Sequence, residues 1–418
     1  MSWQRWVNDW LGRLIGLERH VDPYVRPLAD RVLRPPLQSF AQWLVNVRRP
    51  DDRLGLAEER VLPDESAITA AIIDEMSRFV RSHYGPGTAQ RAGNTKTYGM
   101  VRGEFTVHDD VPAALRHGVF REPASYPTWV RFAGPGPLSP PDIEDNGVLS
   151  IGVKLMAVPG AKLLADERLT QDFTGLTVPT FQSADVRQNL ELQRSVGAAT
   201  PVFYFLRHPA IALMQGIYAR THANPLEARY WSCVPFLLGD GQAMQYTLIP
   251  RGQAGSRVPW HPPKNYLRQA MVATLREREA VFDFAVQLQT DSYRMPIENA
   301  AVSWPERLSR FVPVATLRLP VQRFDTAEQL ALADVFSFNP WHALPEHRPL
   351  GSQNRARREI YVALSRLRQS MNGVTHVEPA PDAGSPEWPG SGRSLRAGPA
   401  RQRQRPTPLV DTTRRRQR

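Results

Sequence analysis

Apolar residues near the start of the chain recur at three- and four-residue steps, which is the period of an amphipathic helix. Residues 1–20 show this pattern, with apolar positions at Trp3, Trp6, Val7, Trp10, Leu14 and Leu17. A second helical run covers residues 37–47. A third runs from a capping Asp64 to about His83, and the Gly85-Pro-Gly segment ends it. The pattern therefore predicts three helices before the first strand.

Strand-like runs follow the third helix, and Pro, Gly and Asp residues separate them. These runs cover residues 98–108, 127–133, 147–158, 230–236, 242–249, 282–289 and 313–320. Residues 185–228 are mainly helical, a hairpin turn is expected at Gly239 to Gly241, and a basic helix over 352–369 stops near Gly373. Strands joined by turns favour an antiparallel sheet. The predicted fold class is α+β, a closed antiparallel β-barrel with flanking helices and a disordered C-terminal tail.

Composition divides the chain into three parts. Residues 1–60 are predicted to form an amphipathic helical arm, and residues 61–375 the barrel domain with its C-terminal helix. Residues 376–418 are rich in Pro, Gly, Ser, Arg and Gln and carry few large apolar groups, so we expect them to be disordered.

Positive charge is concentrated in that C-terminal tail. The whole chain has a formal net charge of +11, and residues 391–418 contain nine arginines and one acid, Asp411. No aromatic residues alternate with these arginines, so we expect no specific nucleic-acid partner. The single cysteine, Cys233, excludes an intramolecular disulfide.

The tryptophan-rich face of residues 1–20 leaves two alternatives open. It could pack on the barrel of the same chain or on a second subunit, which would make a homo-oligomer. It could also lie at a membrane surface, since tryptophan favours the boundary between water and lipid. No stretch reads as a signal peptide or a membrane span, so the expected location is cytoplasmic, with association with a membrane as the alternative.

One stretch organises the middle of the chain. Residues 91–103, RAGNTKTYGMVRG, lead directly into the strand-like residues 104–108. This arrangement resembles the distal strand of the catalase superfamily, in which an Arg, a His and an Ala/Thr-Lys pair precede a strand interrupted by glycines. Similar segments follow in family order, and they begin at Tyr126, Gly152, Gln171, Tyr230, Met295 and Phe338. The resemblance covers roughly residues 85–370 and is greatest to the short catalase-like branch related to allene oxide synthase.

The resemblance implies a haem b inside the barrel, with a distal His and Asn on one face and a tyrosinate ligand on the other. All three positions are substituted here. Asn94 stands at the distal His position, and the distal Asn position falls on Leu176 or Thr177. Phe338 stands at the proximal Tyr position when Phe-Ser-Phe is matched. An ungapped count back from Gly351 places His342 there instead, as a candidate iron ligand.

Three arginines match positions that meet the haem propionates in the family, and these are Arg91, Arg131 and Arg348. The alternative is that they are rim residues paired with carboxylates at Glu104, Asp145 or Asp172.

Two functions follow as expectations. The first is a catalase-like haem-binding protein acting on peroxide or a lipid-hydroperoxide-type molecule, with weak or altered activity. Its site would use Asn94 and Thr177 on the distal face, Arg91, Arg131, Arg348 and Phe338 around the haem, and His342 on the iron. The second is a haem-free catalase-fold scaffold that acts as a binding or assembly module.

Overall fold

The computed structural model describes residues 3–49, 54–252 and 255–380. Two sequential helices form the N-terminal arm, α1 (Trp3–Val32) and α2 (Arg34–Arg48). The other helices are α3 (Glu65–His83), α4 (Val186–Gly197), α5 (Pro201–Arg207), α6 (Pro209–Tyr218), α7 (Tyr266–Glu277), α8 (Ala327–Val335) and α9 (Ser352–Asn372). Within these ranges, no helix combines the length and the apolar content that crossing a membrane requires.

Antiparallel strands form a single sheet. The strands are β1 (Thr97–Val107), β2 (Ser125–Ala133), β3 (Ser150–Leu155), β4 (Gln171–Leu176), β5 (Tyr230–Trp231), β6 (Phe236–Leu237), β7 (Ala243–Pro250), β8 (Ala280–Leu288) and β9 (Val312–Leu319). Their order is β5-β4-β3-β2-β1-β9-β8-β7-β6, and β5 also pairs with β7. That pairing, Tyr230 with Leu248 and Trp231 with Thr247, closes an eight-stranded barrel and leaves β6 outside the ring. The predicted fold class is confirmed.

Aromatic side chains fill the barrel lumen. Phe105 of β1, Phe173 of β4, Tyr246 of β7 and Phe284 of β8 come from strands around the whole ring, yet their ring centroids lie 4.9 to 6.2 Å apart. All four side chains are buried, and Phe120 from the short helix Gly118–Phe120 packs on them. The expectation of a haem inside the barrel is therefore wrong in position, because large rings already occupy that space.

The outer face of β2, β3 and β4 is covered by helices instead of solvent. Apolar residues of α3, α4 and α9 pack together in one cluster that includes Ile72, Val186, Ala356 and Ile360. The side-chain period of two places alternate residues of each strand on this outer face. The three helices thus form a second layer of the molecule outside the barrel wall.

Several boundaries differ from the sequence prediction. The first helix continues past residue 20 to Val32, and Asp64 does not cap α3 with its side chain but pairs with Arg187 at 2.8 Å. β4, α7 and α8 lie in stretches where no element was predicted. The hairpin turn at Gly239 to Gly241 is present, with both glycines at positive φ.

The predicted tail begins later than residue 376. The Glu378 carboxylate accepts hydrogen bonds from the backbone N–H groups of Arg168 and Leu169 at 2.7 and 2.6 Å, so residues 376–380 lie against the barrel domain. The rest of the predicted tail, residues 381–418, is outside the described residues.

The backbones of β1 and β9 approach closely at Gly103, so a substitution there tests this contact. A Cβ atom at Gly103 would lie 2.9 Å from the Arg318 carbonyl oxygen and 2.8 Å from Leu319 Cδ2. We expect Gly103→Ala to lower the free energy of unfolding by about 1 to 3 kcal/mol, because the neighbouring backbone must move. Denaturant unfolding measures it. Gly216→Ala in α6, with nothing within 4 Å of the new Cβ, is the control and should be neutral or stabilising. Equal losses in the two variants would contradict this packing.

Candidate functional site

A cavity of about 450 Å³ lies between the outer face of the barrel and helices α3, α4 and α9. One row of paired residues across β2, β3 and β4 forms part of its wall, namely Arg131, Gly152 and Thr174. The volume is within the usual range for small-molecule and cofactor sites. The cavity is therefore a candidate binding site outside the lumen.

The two sides of this cavity differ in polarity. Its helical side carries a group of apolar side chains, Met76, Leu192, Val196, Ile360 and Leu364, beside polar ones such as Asn189, Gln193 and Arg357. Its other side carries guanidinium groups from the segment before β1, from β2 and from the end of α9. Such a division suits a ligand with an apolar body and anionic groups at one edge.

Among the described residues, five arginines line the cavity, and three of them, Arg91, Arg131 and Arg368, donate to backbone carbonyls and a hydroxyl. Arg91 donates to the Phe336 carbonyl at 2.8 Å. Arg131 donates to the Asn94 and Thr95 carbonyls and to the Thr97 hydroxyl. Arg368 donates to the carbonyls of Asp334 and Phe336.

In the part of the chain that the structure describes, these three guanidinium groups, called here the arginine trio, have no carboxylate within ion-pair distance. Arg131 and Arg368 are 6% and 2% exposed, so water compensates their charge poorly. Burial and the neighbouring Arg368 lower the pKa of Arg131 to about 9. Burial, Arg131 and Arg368 lower the pKa of Arg91 well below its ordinary value. An anion in the cavity would relieve both effects.

The arginine trio differs from the sequence prediction at one residue. Arg348 does not line the cavity, because its guanidinium binds the Glu59 carboxylate at 2.5 Å. Arg368 takes the third position. It lies in the last turns of α9, a helix whose rotation about its axis the sequence pattern does not specify, so residue spacing gave no signal for it.

Neither Arg91 nor Arg131 forms an ion pair with any of the three carboxylates that were the alternative partners. Glu104 accepts from the Ser125 hydroxyl, Asp145 from the Gly136 N–H, and Asp172 binds Lys154. The two arginines remain turned to the cavity.

Asn94 lies at the cavity in the left-handed backbone region, with φ of 50°. Asparagine tolerates this conformation better than most residues, and the Asn94 N–H is held by the Pro135 carbonyl at 3.1 Å. The side-chain amide has no hydrogen-bond partner among the described residues and can donate to a ligand. It cannot accept a proton at neutral pH.

Of the two candidates for the distal amide position, only one lies at the cavity. Leu176 lines the cavity, whereas Thr177 does not. The Thr177 hydroxyl accepts from the Leu149 N–H at 2.9 Å and lies 3.2 Å from His222 Nε2. Burial and Arg220 lower the pKa of His222 to about 3, so this imidazole is neutral. The role of Thr177 on the distal face is thus not supported by its position.

Phe338 lines the cavity and packs against the barrel wall. A Cβ atom at Gly152 would lie 2.8 Å from the Phe338 ring, so glycine is needed at this contact. The phenyl ring offers no atom that can bind a metal.

His342 belongs to a buried charge network. Its Nδ1 lies 2.9 Å from Asp172 Oδ2, and its Nε2 lies 3.2 Å from Asp166 Oδ1. Lys154, fully buried, hydrogen bonds to Glu167 and lies 2.8 Å from Asp172 Oδ1. The network fastens the segment after α8 to β3 and β4. Glu167, Asp172 and His342 are close enough to hold a metal ion, but the Lys154 ammonium already binds both carboxylates.

His342 is an imidazolium in this network. Burial and Lys154 lower its pKa, but hydrogen bonds to Asp166 and Asp172 outweigh them and raise the pKa to about 9. The hydrogen bond from His342 in turn lowers the pKa of Asp166 to about 2. A doubly protonated ring has no lone pair for a metal, so ligation by His342 would require it to lose a proton and one carboxylate partner.

Other cavity-lining side chains could bind a metal, and sequence reasoning missed them. They are Met76, Tyr361 and His376. His376 Nε2 is buried without a hydrogen-bond partner and lies 3.5 Å from Glu167 Oε1. This residue stood in the predicted tail, and so no signal in the sequence marked it.

Comparison with solved structures identifies the fold. A bacterial catalase matches with a TM-score of 0.54 and 16% identity, over 80% of this chain and 68% of that one. A fungal catalase matches with a TM-score of 0.54 and 12% identity, over 87% and 79%. Catalase A from Saccharomyces cerevisiae matches with a TM-score of 0.54 and 14% identity, over 87% and 82%. No profile of a known family and no curated protein sequence matches. The chain has the catalase fold.

The His342 network predicts how stability depends on pH. Because the pKa of His342 rises from 6.5 unfolded to about 9 folded, its contribution is complete below pH 6.5 and is lost as the pH rises through 9. We therefore expect the free energy of unfolding to fall between pH 6.5 and 9, and to fall less in His342→Gln. Urea unfolding across this range measures it. His261→Gln, at an exposed position, is the control and should keep the wild-type slope. A His342→Gln slope equal to that of the wild type would contradict the charged state.

Proposed function

We propose that the protein binds haem b in this cavity and acts on peroxides or organic hydroperoxides, with little dismutation of hydrogen peroxide. The arginine trio carries the proposal. Three guanidinium groups without carboxylate partners among the described residues meet at a cavity that also has a group of apolar lining side chains, in a chain with the catalase fold. Haem has this division of polarity, with two carboxylates at one edge of an apolar ring.

The residues that line the cavity suit both the carboxylate edge and the apolar ring of haem. Arg91, Arg131 and Arg368 would bind the propionates, because charge-assisted hydrogen bonds to buried guanidinium groups are strong. Phe338 and Ile360 would contact the ring. When bound, haem supplies a redox-active iron for cleavage of an O–O bond. The chain supplies the binding energy, the orientation and the exclusion of water.

The iron ligand is the part in which the chain departs most from a catalase. His342, the candidate from the sequence, has both ring nitrogens bound to carboxylates. His376 Nε2 makes no hydrogen bond within the described residues and lies near one carboxylate only, 3.5 Å from Glu167 Oε1. Of the two imidazoles, His376 is therefore the better chemical candidate.

The distal face can orient a peroxide but cannot move its proton. The Asn94 amide would donate a hydrogen bond to a peroxide oxygen, and the neighbouring Leu176 is apolar. General acid–base catalysis typically contributes about 10² to 10⁴-fold, and a face without a base loses that factor. Weak dismutation is the expected consequence.

The apolar helices favour an organic hydroperoxide over hydrogen peroxide as the substrate. Leu192 and Val196 of α4 and Leu364 of α9 line the cavity, and each would contact a hydrocarbon chain. This substrate class also agrees with the resemblance of the sequence to the branch related to allene oxide synthase.

A second candidate is a haem-free binding module. Phe338 in place of the tyrosine and the charged state of His342 favour it. In this case the trio would bind the carboxylate of another apolar molecule, such as a fatty acid, without redox chemistry.

Haem binding is tested by reconstitution. We expect the purified protein, titrated with haem, to give a saturable Soret band. Arg91→Leu should weaken haem binding about tenfold or more, since a hydrogen bond to a charged group contributes about 1.5 to 3 kcal/mol. Arg348→Leu is the matched control, because that guanidinium binds Glu59 outside the cavity, and it should bind haem as the wild type does. Absence of a saturable band would leave the haem-free candidate, and equal losses in both variants would contradict the trio.

Ligand identity is tested on the same reconstituted protein. We expect His376→Gln to change the position of the Soret and visible bands, because the axial ligand sets the electronic state of the iron. We expect His342→Gln to leave these bands in place and to alter stability only. Bands that shift in His342→Gln and not in His376→Gln would reverse the assignment.

A further inference from the structure

The N-terminal arm presents a continuous apolar ridge to solvent. Trp3, Trp6 and Trp10 are 69%, 58% and 51% exposed. The other exposed apolar side chains of α1, of α2 and of the residue between them are Leu14, Ile15, Leu17, Val21, Tyr24, Val25, Leu33, Leu37, Phe40, Trp43 and Val47. Soluble monomers rarely expose apolar patches of this extent without a function.

Polar contacts on the opposite face fix the orientation of this ridge. The Asp22 carboxylate accepts from the Thr221 N–H at 2.6 Å, and the Thr221 hydroxyl donates to the Arg19 carbonyl at 2.7 Å. Arg26 donates to the carbonyls of Gly216 and Ile217 at the end of α6. Rotating α1 to bury its tryptophans would break all of these bonds.

The second helix is held in the same way. Ala41 and Val45 are buried against α6 and its neighbours. The Gln42 side chain accepts from the Ser303 N–H at 2.9 Å. The fold therefore holds the ridge outward along the whole arm.

Aromatic residues dominate the ridge and extend it. Trp260, 74% exposed, lies beside Tyr24 with ring centroids 6.2 Å apart, although it comes from a distant part of the chain. Tryptophan and tyrosine are the residues that favour the interface of a bilayer, where their rings contact both lipid and water. This composition favours lipid over a protein groove as the occupant.

Basic residues of the arm and of residues 391–418 would favour an anionic surface. On α1, Asp22 is buried and Asp30 is bound by Arg26 at 3.0 Å and by Arg34 at 3.6 Å, whereas Glu18 is exposed. Residues 391–418 add nine arginines against Asp411. An amphipathic helix together with a polybasic segment gives two membrane signals in one chain.

We propose that the α1 and α2 arm docks in the plane of an anionic lipid bilayer, with the tryptophan ridge in the headgroup region. The anchored polar face requires the helices to lie along the surface, with the barrel domain on the water side. This inference does not depend on haem binding, because it uses a different face of the molecule.

Vesicle binding by the full chain tests it. We expect the protein to sediment with phosphatidylcholine vesicles that contain phosphatidylglycerol, with a blue shift of tryptophan fluorescence. Binding should weaken on neutral vesicles and at high salt. Replacing Trp3, Trp6 and Trp10 together by Ser should lower partitioning by about tenfold or more.

A matched control removes apolar groups elsewhere. Leu56, Val61 and Val321 are 53%, 64% and 56% exposed outside the arm, and their replacement by Ser should leave partitioning unchanged. Circular dichroism melting checks that both triple variants remain folded, and light scattering measures oligomeric state. Equal partitioning of the tryptophan variant and the wild type would overturn the proposal. The proposal would also be overturned if the wild type were a dimer that does not bind vesicles and the tryptophan variant were a monomer. A second copy of the chain would then cover the ridge.

Discussion

Positive charge at low exposure, with no carboxylate partner among the described residues, is the constraint on which the rest of this structure depends. Arg91, Arg131 and Arg368 meet beside the barrel wall, and backbone carbonyls and one hydroxyl satisfy only part of their donors. Three like charges at low exposure raise the free energy of the empty site, because neither water nor a counter-charge compensates them. A bound dianion would turn the same cluster into a stabilising one. The cavity is thus prepared electrostatically for a ligand with anionic groups at one end, whether or not that ligand carries iron.

The rest of the fold holds this cluster in place. Phe105, Phe173 and Phe284 fill the lumen, so the barrel wall is rigid and the binding space lies outside it. The Lys154 and His342 network fastens the segment that carries Phe338 to the same wall. Buried networks of this kind are weak contributors to net stability but fix a geometry well when every member is paired. The chain keeps the catalase fold and presents a cavity outside the lumen.

The strand-like runs and turns predicted the antiparallel barrel, and the resemblance to the catalase superfamily predicted much of the cavity. Arg91, Asn94, Arg131 and Phe338 were predicted for one site from that resemblance, and they line one cavity. Arg348 and Thr177 were predicted for the site but do not line the cavity, and Arg368 was not predicted, because loop path and helix rotation decide where those side chains point. β4 carries polar residues on its outer face, so the sequence showed no strand pattern there. Lys154 and its partners satisfy these polar groups only in the folded chain.

The central claim is that the cavity with the arginine trio, and not the lumen, is where this protein holds its ligand. Crystallography of haem-loaded protein at the iron absorption edge tests it most directly. We predict a single anomalous iron peak between the barrel wall and α9, with carboxylate density against Arg91, Arg131 and Arg368. An iron peak at any other place, or iron in the cavity with its carboxylates turned away from these arginines, would contradict the account.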